Sequence, residues 1–319
     1  METRVFSHDA CLLHRAPAGY PECPERLSSV LEELERSISV DRGADPEEGR
    51  VDRAILALQD ADYVRRLRAA VERGDGLIDS ADNPLGPETW RAAKAAVAVA
   101  LRSLDWTMER AGRRAFAAVR PPGHHAGRDY AMGFCYLSNI AIAAQHLLDG
   151  HGLSRVAILD FDVHHGNGTQ DAFYDRGEVF FLSVHQHPFY PGTGLVTERG
   201  QGEGAGATLN VNLPAGSGDD DYAEVFAKTL EPALDDFRPQ ALLISAGFDA
   251  WVGDPLGGMR VTEAGFEDWG RRLSAVADRH CDGRLWSIQE GGYDVPRLGD
   301  LVVAYLRGQS GSDLGKAGR

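Results

Sequence analysis

Short apolar runs alternate with helix-like segments along most of this 319-residue chain, and this alternation constrains the fold more than any other feature. The apolar runs predict strands at 115–119, 156–159, 179–184, 241–244 and 285–288. Periodic or alanine-rich segments predict helices from Pro24 onwards and at 87–111, 138–148 and 262–280. Strands that alternate with helices favour a mostly parallel sheet with helices on both faces. The sequence therefore predicts one α/β domain.

Polar residues follow the strand at 156–159 directly. Asp160, Asp162 and His164 alternate along the chain, and alternate residues of an extended segment share a face. Ligands gather at the carboxyl ends of parallel strands, so this run predicts a metal site. The alternative is a polar loop whose aspartates cap the next helix.

Reactive side chains also follow other predicted strands. His124 and His125 come after 115–119, Asp249 after 241–244, and Tyr293 after 285–288. Because the carboxyl ends of parallel strands meet at one sheet edge, we expect these groups to converge there.

Composition limits the classes of function. The net charge of −15 argues against a nucleic-acid partner, and the apolar stretches are too short or too interrupted for a membrane span. The four cysteines form no CxxC pair, which argues against a thiolate zinc knuckle or a disulfide framework. The start of the chain lacks an apolar signal core, and together these features predict a cytoplasmic protein.

Three segments are predicted to be irregular. The polar stretch 41–50 is typical of a surface loop, and the glycine-rich stretch 192–218 of loops near the sheet edge, apart from a periodic run at 209–213. The small, polar residues 308–319 predict a flexible tail after a folded domain at 1–307.

Several motifs together resemble the zinc-dependent histone deacetylase superfamily, especially its class II-like branch of bacterial deacetylase-like amidohydrolases and acetylpolyamine amidohydrolases. The resemblance spans nearly the whole chain and implies the arginase/deacetylase-like fold. The motifs that carry it are Tyr20-Pro21-Glu22-Cys23-Pro24-Glu25-Arg26-Leu27, Arg120-Pro121-Pro122-Gly123-His124-His125, Gly133-Phe134-Cys135-Tyr136, Asp160 to Gly168, Gly247-Phe248-Asp249, Asp254-Pro255-Leu256-Gly257 and Glu290-Gly291-Gly292-Tyr293.

The resemblance implies a metal-dependent hydrolase. Asp162, His164 and Asp249 would hold one catalytic Zn²⁺ and leave positions open for water and substrate. Because this donor set is rich in oxygen, Fe²⁺, Co²⁺ or Mn²⁺ could also bind. The resemblance further implies a structural K⁺ near Asp160, Asp162, the His164 carbonyl and Ser183.

Catalytic roles follow from the same resemblance. It implies that His125 is general base and then general acid, that His124 assists electrostatically, and that Tyr293 stabilises the oxyanion. It pairs His124 with Asp160 and His125 with Asn167. A neutral asparagine should raise the pKa of its histidine less than a carboxylate would.

The implied substrate is an acetylated, or more generally acylated, primary amine, above all acetyl-lysine in a peptide or protein. The resemblance implies a narrow tunnel for it, with Phe134 and either Phe189 or Tyr190 as the aromatic walls. Gly133, as an acceptor for the substrate backbone, and Leu256 would also line it. Leu256 replaces a glutamate of a polyamine-selective relative, which weakens the alternative of small acetylated polyamines without excluding it. Bacterial relatives also suggest a homo-oligomer as one option.

Two other functions fit the sequence less well. A two-manganese ureohydrolase would need extra carboxylates where Gly166 and Trp251 stand, so one metal fits better. A non-catalytic acyl-lysine binding module is disfavoured because every inferred catalytic residue is present.

Overall fold

A parallel sheet forms the centre of the computed structural model, which describes residues 1–43 and 48–311. Its central strands are short apolar runs that are buried on both faces, as parallel strands require. The strands within the described residues are β1 Glu2–Phe6, β2 Val40–Asp41, β3 Leu77–Ile78, β4 Ser80–Pro84, β5 Arg113–Ala117, β6 Val156–Asp160, β7 Val179–Gln186, β8 Thr208–Leu213, β9 Ala241–Ala246 and β10 Leu285–Gln289.

Eight of these strands form one sheet, in the order β2-β1-β5-β10-β9-β6-β7-β8, and every neighbouring pair is parallel. The remaining pair, β3 and β4, is a small antiparallel ribbon. Strands β9 and β10 come late in the chain, yet they lie between β5 and β6. The four strands β5, β10, β9 and β6 are therefore neighbours at the middle of the sheet.

Helices connect the strands. Their bounds in the described part of the chain are α1 Pro24–Ser37, α2 Glu48–Leu58, α3 Ala61–Arg73, α4 Thr89–Met108, α5 Asn139–Gly150, α6 Asn167–Phe173, α7 Asp219–Val225, α8 Glu231–Phe237, α9 Glu263–His280 and α10 Val295–Ser310. A π-helical turn, Phe226–Leu230, joins α7 to α8. None of the described helices has the length and apolar character needed to cross a bilayer.

Two consecutive residues of β10 show that helices cover both faces of the sheet. The Trp286 indole Nε1 donates to Ser103 Oγ on α4 at 2.8 Å. The next side chain, Ser287, lies 2.9 Å from the Tyr305 hydroxyl on α10. Because successive side chains of a strand point to opposite faces, α4 and α10 lie on opposite sides. The predicted α/β architecture is confirmed, and all five strands predicted from apolar runs are present.

Some boundaries differ from the sequence expectations. The stretch 41–50 was predicted to be a loop, but Val40–Asp41 is an edge strand and α2 begins at Glu48; residues 44–47 lie outside the described part. Strand β1, which the apolar pattern did not predict, pairs with β5. The run at 209–213 belongs to β8, the edge strand beside β7.

The C-terminal helix also runs further than expected. A tail was predicted from residue 308, whereas α10 continues through Ser310. Gly308 is a packing residue here, because a Cβ at this position would lie 1.9 Å from the Glu267 carbonyl oxygen of α9. Gln309 is buried, and its Nε2 donates to Ser287 Oγ at 3.3 Å. Residues 312–319 lie outside the described part.

Candidate active site and metal centre

The four central strands deliver the predicted reactive residues to one edge of the sheet. His124 and His125 follow β5, Tyr293 follows β10, and Asp249 follows β9. The polar run that begins at Asp160 follows β6. Because these strands are adjacent, side chains far apart in the chain meet at their carboxyl ends, where open α/β sheets bind ligands.

Asp162, His164 and Asp249 form a buried cluster whose candidate ligand atoms all lie within 4.8 Å of one another. His164 Nδ1 is 3.1 Å from Asp162 Oδ1 and 3.1 Å from Asp249 Oδ2. The second oxygen of each carboxylate accepts a backbone N–H, from Gly291 for Asp162 and from Val163 for Asp249. These hydrogen bonds aim one oxygen of each aspartate at the imidazole nitrogen.

Two glycines allow this close approach. A Cβ at Gly247 would lie 2.1 Å from Asp162 Oδ2, and one at Gly291 would lie 2.1 Å from Asp249 Oδ2. Any larger residue at either position would displace a carboxylate. The backbone after β9 and β10 can therefore pack directly against the two carboxylates because it carries glycine at these positions.

The electrostatics of the cluster favour a bound cation. Burial and the neighbouring Asp162 raise the pKa of Asp249 to about 7. Burial works against a charge on His164, yet its hydrogen bonds to Asp162 and Asp249 raise the pKa of His164 to about 10. Two buried carboxylates need positive charge close by. Two oxygens and one imidazole nitrogen suit Zn²⁺ or a similar divalent ion, so the residues fit the implied metal.

The histidine pair lies beside this cluster, with ring centroids 4.0 Å apart. His124 Nδ1 is 3.0 Å from Asp160 Oδ2, and His125 Nδ1 is 2.7 Å from Asn167 Oδ1. Burial lowers the pKa of His124, but Asp162 and Asp160 outweigh it and raise that pKa to about 10. For His125, burial and then the positive charge of His124 lower the pKa well below its usual value. The two imidazoles therefore favour different protonation states.

A cavity of about 310 Å³ opens onto the cluster. Phe189 stacks on the His164 ring at 5.2 Å, and Phe134 meets the Tyr293 ring edge-on at 5.8 Å. All five residues expected to line a substrate tunnel are in its wall, including both Phe189 and Tyr190. The lining residues are Asp82, His125, Gly133, Phe134, His164, Phe189, Tyr190, Leu256 and Tyr293.

Asp82 is a cavity residue that the sequence did not reveal. It lies on β4 of the small antiparallel ribbon, and its Oδ2 accepts from the Tyr190 hydroxyl at 2.7 Å and from the Gly133 N–H at 3.3 Å. A single aspartate in an irregular, polar stretch carries no signal of its own. Only the fold brings it to the cavity.

Arg26 supports the loop that carries Tyr293. Its Nε donates to the Gly292 carbonyl and its Nη2 to the Glu290 carbonyl, both at 2.6 Å. The guanidinium also lies 4.6 Å from the centroid of the Tyr293 ring. Burial raises the pKa of Tyr293 well above its usual value, so the phenol keeps its proton. Arg26 was visible in the Pro24-Glu25-Arg26 motif, but its role was not.

Glu290 is a second supporting residue that the sequence analysis did not assign. Its Oε2 accepts from the backbone N–H groups of Gly123, at 2.6 Å, and His124, at 3.1 Å, and its Oε1 accepts from Ser245 Oγ. It thus joins the segments after β5 and β10 to the end of β9. Burial raises the pKa of Glu290 to about 7. Its position directly before Gly291 was the signal that could have identified it.

Of the residues expected around K⁺, Asp160 lies on β6 and Ser183 on β7, whereas Asp162 and His164 follow β6. Asp160 pairs with Ser183 in the sheet register, and Asp160 Oδ1 accepts the Asp162 N–H at 3.1 Å. Ser183 Oγ is 2.9 Å from His185 Nδ1. The K⁺ site itself stays a prediction.

Gly166 bears on the two-metal alternative. A Cβ there would lie 2.2 Å from Asp160 Oδ2 and 3.2 Å from His124 Nδ1. A carboxylate side chain could enter only by displacing the partner of His124. Trp251, the other position, donates its indole N–H to Asp294 Oδ2 at 3.0 Å. This geometry agrees with a single metal.

Fold and site together define the class of protein: a parallel α/β fold with a buried cluster of candidate metal ligands at the carboxyl ends of its central strands. The family follows from the sequence, which matches the histone deacetylase domain over residues 20–308. The chain therefore belongs to the histone deacetylase family, whose members are metal-dependent deacetylases, and the predicted family is confirmed.

Relatives and a solved structure agree with this assignment. The chain is 39% identical over 304 residues to a probable deacetylase of Archaeoglobus fulgidus, covering 92% of this chain and 82% of the relative. It is 38% identical to the histone deacetylase-like amidohydrolase of Pseudomonas aeruginosa, covering 92% and 78%. The acetylpolyamine aminohydrolase of Burkholderia pseudomallei superposes with a TM-score of 0.88 at 32% identity, covering 98% of this chain and 100% of that one.

Proposed function

We propose that the protein is a single-metal deacetylase that removes acetyl groups from acetyl-lysine or a related acetylated primary amine. The observation that carries this proposal is the cavity of about 310 Å³, which brings His125 and Tyr293 together with the metal-ligating cluster. The aromatic rings of Phe134 and Phe189 suit an extended aliphatic chain that ends in an amide.

Asp162, His164 and Asp249 would hold the metal, with Zn²⁺ proposed as the ion. When bound, such an ion polarises an amide carbonyl and lowers the pKa of a coordinated water. The buried carboxylates and the backbone N–H groups that orient them preform this donor set.

His125 is the proposed general base, and a chain of hydrogen bonds sets its tautomer. The Tyr130 hydroxyl donates to Asp171 Oδ2 at 2.6 Å and therefore accepts from Asn167 Nδ2 at 3.0 Å. This orients Asn167 Oδ1 towards His125, so that His125 Nδ1 carries the proton and donates it. His125 Nε2 is then the nitrogen available to take a proton from water and to pass it to the leaving amine.

His124 and Tyr293 stabilise charge. His124 pairs with Asp160 and lies 3.8 Å from Asp162 Oδ2, so its imidazolium remains close to where negative charge develops. The neutral Tyr293 phenol would donate to the oxyanion formed from the carbonyl. Gly292 before it has φ +112°, a backbone conformation that glycine adopts at little cost.

Acetylated polyamines are the second candidate substrate class, and Asp82 favours them. Its carboxylate faces the cavity and would attract a second ammonium group of a polyamine chain. Leu256, in the same wall, offers no charge and favours the peptide substrate instead.

Kinetics on both classes would decide between them. We would measure kcat/KM for an acetyl-lysine peptide, a trifluoroacetyl-lysine peptide, acetylputrescine and acetylspermidine, each with a chelator-treated control. Asp82→Asn should lower kcat/KM for the polyamines more than for the peptides. Asp75→Asn is the matched control, because Asp75 forms an exposed ion pair with Arg73.

Preference for the peptides supports the lysine deacetylase. Preference for the polyamines, if Asp82→Asn reduces it and Asp75→Asn does not, would support an acetylpolyamine substrate instead. Inactivity of metal-loaded protein on every substrate would refute hydrolysis and favour an acyl-lysine binding module. A cytoplasmic location and a homo-oligomer remain predictions.

A further inference from the structure

A second cluster of metal-ligating side chains lies away from the active site. It consists of Asp105 on α4, His146 on α5, and His151 directly after α5, and their candidate ligand atoms lie within 4.8 Å of one another. His146 Nε2 is 2.9 Å and His151 Nε2 is 3.1 Å from the same atom, Asp105 Oδ1. Two imidazoles from different turns thus converge on one carboxylate oxygen.

This cluster lies at the opposite edge of the sheet from the catalytic residues. Helix α5 ends at Gly150, and the chain then enters β6 at Val156, so His151 is near the amino end of that strand. The catalytic groups all follow the carboxyl ends of the strands. An ion bound at the second cluster would therefore be independent of the proposed active site.

The distances between the imidazole Nε2 atoms and Asp105 Oδ1 are close to the distances between ligand atoms around a coordinated ion. A tetrahedral Zn²⁺ with bonds of about 2.0–2.1 Å places its ligand atoms about 3.3 Å apart. The observed separations of 2.9 and 3.1 Å need only a few tenths of an ångström of expansion. The side chains of Asp105, His146 and His151 are 27%, 21% and 29% exposed, so water can reach the cluster and complete the coordination.

Arg50 orients the carboxylate. Its guanidinium pairs with Asp105 Oδ2, the oxygen that faces away from the imidazoles, and leaves Oδ1 to them. The arginine also offsets the carboxylate charge, which weakens the attraction for hard cations such as Mg²⁺ or Ca²⁺. Imidazole nitrogens instead favour Zn²⁺, Ni²⁺ or Cu²⁺.

We propose that Asp105, His146 and His151 form an exterior Zn²⁺ site that joins the ends of α4 and α5. In the metal-bound form both Nε2 atoms and Asp105 Oδ1 coordinate the ion, and each imidazole carries its proton on Nδ1. The competing interpretation is a hydrogen-bond network in which both Nε2 atoms are protonated and donate to Asp105. The two interpretations differ in how much metal the protein binds.

Metal counting tests the site. Wild type, a His146→Gln/His151→Gln double variant and a His280→Gln control would be dialysed against buffered free Zn²⁺, and bound zinc measured by mass spectrometry. His280 is the matched control because its Nε2 pairs with Asp235 Oδ1 at 2.6 Å beside Arg279, as one imidazole on one carboxylate. We expect the double variant to bind one zinc fewer than wild type, with unchanged deacetylase kcat/KM, and His280→Gln to match wild type.

A spectroscopic signature separates the two metal sites. The catalytic cluster offers one imidazole, His164, whereas the exterior site offers two, so bound Cu²⁺ should show superhyperfine splitting from two nitrogens at the exterior site alone. His151→Gln, at the more exposed position, should reduce this to one nitrogen and weaken binding at least about tenfold. Equal zinc content in wild type and the double variant, or no two-nitrogen signal in wild type, would overturn the proposal. If metal-loaded wild type binds zinc at the exterior site but has no deacetylase activity, the exterior site is supported and only the proposed function is contradicted.

Discussion

Replacing Glu22 with glutamine tests the buried charge network that supports the Tyr293 loop. The Glu22 carboxylate accepts from Arg26 Nη1 at 3.0 Å, and from Arg120 Nε and Nη2 at 2.6 and 2.7 Å. All three side chains are buried. In Glu22→Gln the two guanidinium groups lose their negative partner inside the protein. Breaking a buried ion pair in this way costs about 3–5 kcal/mol.

The pKa of Glu22 leads to a similar magnitude. Burial alone would raise this pKa, but Arg120 and then Arg26 lower it from 4.5 to about 2. A shift of this size corresponds to about 3 kcal/mol of stabilisation by the ionised form. Because the folded-state pKa is depressed, the stabilisation is fully present above pH 4.5 and is lost as the pH falls towards 2.

Urea unfolding at pH 7 and again near pH 3 would measure both effects. Glu22→Gln should lower the free energy of unfolding by about 3 kcal/mol at pH 7, and the difference from wild type should shrink at the lower pH. The exposed Glu25, three positions along, provides the control, since Glu25→Gln should change the free energy by less than about 0.5 kcal/mol. A Glu22 variant as stable as the control, or a difference that does not depend on pH, would refute the reasoning.

Other predictions concern catalysis and metal binding. Tyr293→Phe should lower kcat by about 10²–10³-fold with little change in thermal stability, because it removes only the oxyanion donor; wild-type kcat would contradict that role. Asp249→Ala should abolish both bound metal at the catalytic site and activity, measured by metal analysis and kinetics on the same sample, and retained stoichiometric metal there would rule out the ligand set. Tyr130→Phe should lower kcat about tenfold with normal metal content, because Asn167 loses the acceptor that orients it. A Tyr130 variant with unchanged kcat would show that this chain of hydrogen bonds does not set the tautomer of His125.

Much of the fold and many of the candidate site residues could be predicted from local sequence. The apolar runs identified the strands of the sheet that carry reactive residues, because burial on both faces leaves a near-continuous hydrophobic signal. The alternation of Asp160, Asp162 and His164 after such a run identified a candidate metal-ligating segment, and two of its side chains lie in the buried cluster with Asp249. The ends of helices were predicted less accurately. A tail was predicted from Gly308 onwards, but the lack of a side chain at this glycine allows α10 to pack against α9.

Supporting residues were harder to predict because their partners are distant in the chain. Arg26 contacts the Glu290 and Gly292 carbonyls more than 260 positions away. Asp82 reaches the cavity through a short ribbon whose sequence has no clear period. A buried arginine or a cavity aspartate has meaning only through the groups it faces, and no local pattern records them.

The sequence by itself determined the fold class, the family and the identity of the metal-ligating and catalytic candidates, because hydrophobic periodicity and short motifs are local properties of the chain. The tertiary structure alone decided that β9 and β10 lie between β5 and β6. That insertion brings His125, His164 and Tyr293 to one cavity and places Asp162 and Asp249 beside His164. It also places His146 and His151 on a single oxygen of Asp105 at the opposite edge. Such convergence depends on strand order and helix packing, which are set by the burial of the whole core.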